Sequence, residues 1–339
     1  MTTHDRISPT QFLWLLLAGR LSNCLLLPSD SLHALTVPDL VAVTALNAVF
    51  LILLALPTIF LWHRGILTNR LVSGGYLLVS LFVLYLDILQ FRDFAEETVK
   101  ADFSVTLLTA ALIVVGFAAA LYGVQALGRT AAVVAAAGIA LLLLFGALLI
   151  PRMEAVNFPP AVFGGWRAVF AQTVKELPRT AEIVAVGALY PSVRGKVGKP
   201  FAVFVGLNAA LTLFVCMITT GVLGDFAGLT AYPFYTAVTA ARAGVLERLD
   251  LLVVALWLGT FFVRVSLFGS IYLDHARRLF GEKSCILSAA IGAFALVVLT
   301  VLTRVIGLGG QWQPITYAYW GLLALFCIAL PLVFRRKRV

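Results

Sequence analysis

Long apolar runs separated by short polar gaps make up almost the whole chain. Ten of them approach the roughly 20 mostly apolar residues that a bilayer-crossing helix needs. They cover 11–28, 38–62, 71–91, 103–123, 130–151, 176–193, 201–223, 249–273, 286–303 and 317–334. The pattern predicts an all-α polytopic membrane protein of ten transmembrane helices. The sixth run differs from the others in that Lys175, Glu176, Pro178, Arg179 and Glu182 make its first half polar. Two gaps are long enough to hold structure of their own: 152–175, and 224–248, where Tyr232, Pro233 and the following apolar residues predict a helix lying at the membrane interface.

Composition closes off the other classes. With 61% hydrophobic and 12% charged residues, and a mean hydropathy of +1.01, the chain lies far from globular composition, where about a quarter of residues are charged. Disorder requires the opposite bias. The net charge of +9 does not indicate nucleic-acid binding, because the basic residues sit in the gaps between apolar runs rather than on a polar face. Cys24, Cys216, Cys285 and Cys327 have no paired spacing, and His4, His33, His63 and His275 have no ligand spacing, so no metal is expected. With no nucleophile, base and orienting group in view, the chain is not expected to be an enzyme or to hold a cofactor. Arg6 precedes the first run, but Arg20 and Asn23 inside that run and the lack of a small-residue cleavage site favour a retained span over a signal peptide.

Lys and Arg in the gaps set the orientation. A cytoplasmic N-terminus places fourteen of them inside, including Arg335, Arg336, Lys337 and Arg338, and nine outside; Arg20 and Arg264, within runs, complete the 25. Both termini are therefore expected in the cytoplasm.

Charges inside spans are costly and mark function by default. Arg20, Asp87, Glu182 and Arg264 lie in spans one, three, six and eight. If the chain consists of two inverted five-helix repeats (11–151 and 176–334), spans one and six are equivalent, as are three and eight. One and six are also the interrupted pair, the first with Gly19, Arg20, Ser22 and Asn23, the second with Pro178, Thr180, Glu182 and Gly187. Matching broken helices point to a transporter-type binding site. Both helices are expected to unwind, near 19–23 and near 185–188, with Glu182 ionised and compensated by Arg20 or Arg264. The candidate ligand-binding residues are Gly19, Arg20, Ser22, Asn23, Asp87, Thr180, Glu182, Val186, Gly187 and Arg264.

Three stretches resemble one family. They are Ile7-Ser8-Pro9-Thr10-Gln11-Phe12 with the first span ending in Leu25-Leu26-Leu27-Pro28; Tyr232-Pro233 through Glu247-Arg248-Leu249-Asp250 into Trp257; and Glu182 before an apolar run reaching Pro191. Together they are similar to the endospore germination permeases, the GerAB/ArcD/ProY or spore germination protein KB group of the amino acid, polyamine and organocation superfamily. The resemblance implies a LeuT-like fold with a site among helices one, three, six and eight. It also implies an integral subunit of a germinant receptor in the spore inner membrane, sensing a small nutrient such as an amino acid beside A-type and C-type subunits. The alternative is a secondary amino acid transporter coupled to a proton or cation. Arg20 departs from the small or apolar residue usual there, and favours an anionic ligand or an internal counter-ion for Glu182.

Overall fold

The computed structural model describes residues 6–25, 36–61, 69–98, 104–158, 162–176, 181–239, 250–305 and 321. Among these, the α-helices are α1 (Pro9–Leu25), α2 (Val37–Leu61), α3 (Arg70–Thr98), α4 (Val105–Leu121), α5 (Val124–Leu149), α6 (Trp166–Glu176), α7 (Glu182–Leu189), α8 (Gly198–Leu223), α9 (Pro233–Thr239), α10 (Asp250–Phe280) and α11 (Cys285–Val305). Six of them, α2, α3, α5, α8, α10 and α11, are long and apolar enough to cross a membrane, and α4 is a shorter apolar helix. An all-helical chain follows from the solvent: in hydrocarbon every backbone N–H and C=O must be satisfied within its own segment. The tenth apolar run lies outside the described residues except for position 321.

Local sequence sets the helix starts. Ser8 and Gln11 form a reciprocal capping box at α1, the Gln11 N–H donating to Ser8 Oγ at 3.1 Å and the Ser8 N–H to Gln11 Oε1 at 2.9 Å. Pro9 occupies the first helical position, where its missing N–H costs nothing. Thr36 and Asp39 make a similar pair at α2. Gly123, at φ 86°, adopts the left-handed turn that folds α4 directly into α5.

The bundle is centred on α10, which packs along α3, α4, α5 and α1. Its apolar span is 61% buried, against 28% for α2 on the periphery. Small residues permit the close approaches, as is usual between membrane helices. A Cβ at Gly116 of α4 would lie 2.6 Å from Val265 Cγ1 of α10. Beyond α8, residues Gly224–Leu229 form a 3-10 turn, and α9 buries Phe234, Ala237 and Val238. The segment after α9 predicted to continue the interfacial helix, 240–248, lies outside the described residues.

Two expectations about broken helices are corrected. The first span does not unwind: α1 runs unbroken through Gly19, Arg20, Ser22 and Asn23. Its polar side chains find partners without opening the backbone, Ser22 Oγ donating back to Gly19 O at 2.7 Å and Arg20 Nε across to Asn208 Oδ1 of α8 at 2.6 Å. The sixth span does not unwind near 185–188 either, since these residues are helical within α7. The gap predicted at 152–175 holds a helix of its own, α6, which reaches Glu176, and α7 starts at Glu182.

Gly116→Ala is expected to destabilise the protein by about 1–3 kcal/mol through overpacking against Val265. Combining it with Val265→Ala should cost less than the two changes summed, which thermal unfolding of the purified protein in detergent would measure.

Candidate functional site

The deepest charges meet around Arg264, which is 1% exposed. Its Nε donates to Asp87 Oδ2 of α3 at 2.8 Å, and its Nη1 donates to Gly19 O of α1 at 3.1 Å and, in a very short contact, to Glu182 Oε1 of α7. One guanidinium thus joins α1, α3, α7 and α10. The planar fork of arginine suits this arrangement, because its donors diverge in fixed directions and stay charged. Removing two carboxylates and a guanidinium from water is tolerable only with pairing and hydrogen bonding of this kind.

Position 19 lies directly beside the pair: a Cβ there would be in ordinary contact, 3.4 Å from Glu182 Oε1 and 4.0 Å from Arg264 Nη1. Gly187 has a steric reason, since a Cβ there would collide with the Tyr76 hydroxyl. Glu182 Oε2 is buried and accepts no hydrogen bond from the described residues.

Aromatic rings flank the cluster along α10. Phe268, one turn along α10, lies with its ring centre 5.5 Å from the Arg264 guanidinium carbon. In the other direction Phe91 stacks on Trp257 at 4.9 Å, Phe261 lies against both, and Phe94 meets Trp257, Tyr232 and Tyr235. Trp257 is therefore core packing rather than an interfacial anchor. Toward the start of α3, Tyr76 stacks on His275 at 4.9 Å, whose two ring nitrogens are buried and have no hydrogen-bond partner among the described residues.

A second polar centre lies on the other side of α1. Arg20, Glu176, Gln172, Asn208, Asn47, Thr44 and Thr212 line a small cavity between α1, α2, α6 and α8, walled also by Leu40, Val43 and Cys216. Gln172 Nε2 donates to Glu176 Oε1 at 3.1 Å, and Asn47 Oδ1 is buried without a donor among the described residues. The face of α6 that turns inward is Val169, Gln172, Thr173 and Glu176, the spacing of a helical stripe.

Two ties close the ends of this arrangement. Asp39 Oδ1 of α2 accepts from the Gly164 N–H just before α6 at 2.9 Å. At the opposite end Ile7 pairs with the segment after α7, its N–H donating to Ser192 O at 3.0 Å and its carbonyl accepting from the Arg194 N–H at 2.9 Å.

Of the predicted site residues, Gly19, Asp87, Glu182 and Arg264 come together. Arg264 is the arginine that pairs with Glu182, whereas Arg20 bonds Asn208 and faces the second cavity. Ser22, Asn23, Val186 and Gly187 are all buried nearby in α1 and α7, and Thr180 lies outside the described residues. Sequence reasoning overlooked Asn47 and Asn208 as site candidates. The signal was there: each is a lone amide within an apolar run.

The described helices form an apolar bundle of membrane-protein character, with paired charges at its centre joined from four helices. A family model, Spore germination protein, matches residues 40–305, and the chain belongs to that family. The match spans Asp87, Glu182, Asn208 and Arg264, and begins after α1. No curated protein matches the chain.

Arg264→Met, which leaves two buried carboxylates without their counter-ion, is expected to destabilise the protein by about 3–5 kcal/mol. Adding Asp87→Val and Glu182→Met should restore most of that loss, because apolar replacement of a whole buried ion group is often close to neutral. Thermal unfolding and membrane abundance of the single and triple variants would check this.

Proposed function

We propose that this chain is the integral membrane subunit of a spore germinant receptor, which senses a small nutrient such as an amino acid and passes the change to A-type and C-type partner subunits without covalent chemistry. It sits in the spore inner membrane as ten helices in two inverted five-helix repeats, with both termini in the cytoplasm. Family membership supports the class. The observation that carries the mechanism is the Arg264 cluster, in which one side chain binds α1, α3, α7 and α10 at once.

A sensor works only if its ligand binds one arrangement better than another; equal affinity shifts nothing. The hydrogen bonds from Arg264 and the ties at Asp39 and Ile7 are discrete contacts, and in this reading the packed core switches between an arrangement that keeps them and one that does not. A nutrient that binds one arrangement better changes their balance, and the displaced helix ends carry that change to the partner surface.

The test is germination of spores carrying Asp87→Asn, Arg264→Lys or Asn23→Ala over a nutrient panel, at matched protein abundance. The expected outcome is a shift of about tenfold or more in the half-maximal nutrient concentration, the consequence of losing one charge-assisted contact of 1.4 kcal/mol or more. Unchanged responses in all three, with radiolabelled amino acid accumulating in reconstituted vesicles along an ion gradient, would instead identify a secondary transporter coupled to a proton or cation. Orientation has its own check: a cysteine placed at Lys196 is expected to react with an impermeant thiol reagent only from the cytoplasmic side.

A further inference from the structure

Basic residues gather at one end of the bundle because of how the start of α1 is seated. Ile7 pairs with Val193, and its carbonyl accepts from the Arg194 N–H at 2.9 Å, which sets Arg6 beside Arg194. Gly195 packs against Pro9, a Cβ there lying 3.7 Å from Pro9 Cγ, and a Cβ at Gly128 would lie 3.0 Å from Gln11 Cβ. The start of α1 thereby joins the segment before α8 to the start of α5. Arg6, Arg129, Arg194, Lys196 and Lys199 share the resulting ledge, and all five are exposed.

Among the described residues nothing on the ledge neutralises them. Residues 6–25, 104–153 and 183–224 contain no Asp or Glu, and none of the five cations makes an ion pair with a described carboxylate. Asp274, which shares a small cavity with Ser192, is bound to Arg278 at 2.8 Å. At the far end of α3 the surface charge is matched instead, Arg92 pairing with Glu96 at 2.8 Å.

What lies below the cations identifies what they face. Arg129 and Lys199 stand near the starts of α5 and α8, both long and apolar enough to cross a membrane. Along each helix the face beneath the cation stays exposed and apolar: Val203 and Leu207 follow Lys199 at helical spacing, and Val133 follows Arg129. A cation above an exposed apolar stripe has the layout of a phospholipid, whose phosphate stands above its acyl chains. A soluble phosphate would use the cations alone, and so would an acidic protein segment.

We propose that this ledge is a binding site for an anionic phospholipid, with Arg194, Lys196 and Lys199 around the headgroup phosphate and the acyl chains along the exposed face of α8. A zwitterionic lipid brings the same phosphate with an ammonium group beside it, so an unneutralised ledge discriminates by net charge. The attraction weakens as salt screens it, because the cations are exposed. Since the ledge is assembled from the segment before α1, the start of α5 and the segment before α8, a bound headgroup spans parts of the chain that are distant in sequence.

The experiment titrates purified full-length protein in detergent with phosphatidylglycerol or phosphatidylcholine and counts bound lipid by native mass spectrometry. The expected result is binding of phosphatidylglycerol about tenfold or more tighter than that of phosphatidylcholine, reduced about tenfold or more in the triple variant Arg194→Gln, Lys196→Gln, Lys199→Gln. The double variant Arg167→Gln, Lys175→Gln, which removes two exposed cations of α6, should bind as the unaltered protein does. Lys196→Glu alone, a single reversal at an exposed position, should weaken phosphatidylglycerol several-fold and keeps the test available if the triple variant does not fold. Equal binding of the two lipids, undiminished phosphatidylglycerol binding in the ledge variants, or an equal loss in the α6 variant would overturn the site. Displacement of phosphatidylglycerol by glycerol 1-phosphate at fixed ionic strength would overturn it too, by assigning the ledge to a soluble phosphate.

Discussion

A guanidinium in a membrane interior is tolerable only when surrounding groups replace the water it has lost, and the arrangement of this protein follows from that requirement at Arg264. Satisfying its donors brings three other helices to fixed positions: Asp87 fixes the face of α3, Gly19 the closest approach of α1, and Glu182 the start of α7. The helix that carries the arginine is accordingly the most buried of the long ones. Aromatic residues one and two turns away then exclude water, which strengthens the pairing and makes the loss of any one member costly.

Two short helices serve the two polar centres. α6 delivers Glu176 to the cavity and α7 delivers Glu182 to Arg264. The first span reaches both centres without a break. Successive helix positions are rotated by about 100°, so the carbonyl of Gly19 faces Arg264 while the side chain of the next residue, Arg20, reaches α8. The continuous α1 thus forms a shared wall between the two polar centres.

Hydrogen bonds to main-chain groups tie the ends of the bundle. Ile7 lies fully buried against residues 192–194, and Asp39 combines helix capping with a grip on the segment before α6. Asn157 performs a comparable service for α8, its amide donating to Gly221 O at 2.9 Å and Val222 O at 3.3 Å, carbonyls that a helix C-terminus leaves without an internal partner. Contacts of this kind are short, local and individually modest, suited to being made and broken.

The amino-acid sequence by itself determined that the chain is a helical membrane protein, because long apolar runs have no other stable form in hydrocarbon. It also singled out Asp87, Glu182 and Arg264, since charges are rare enough in such runs to stand out individually, and it carried enough of the family's short motifs to identify the spore germination group. Glycines and polar residues suggested breaks in spans one and six, but composition cannot distinguish a helix that opens to satisfy its polar groups from one that satisfies them sideways; Ser22 and Arg20 do the latter. The choice of Arg264 over Arg20 as the partner of Glu182 was equally hidden. Helices that are apolar on nearly every face carry no stripe to show which way they turn, so which side chains meet is decided by how the helices rotate and pack against one another. Asn47, Gln172, Glu176 and Asn208, drawn from three helices far apart in the chain, become one cavity only in the folded bundle.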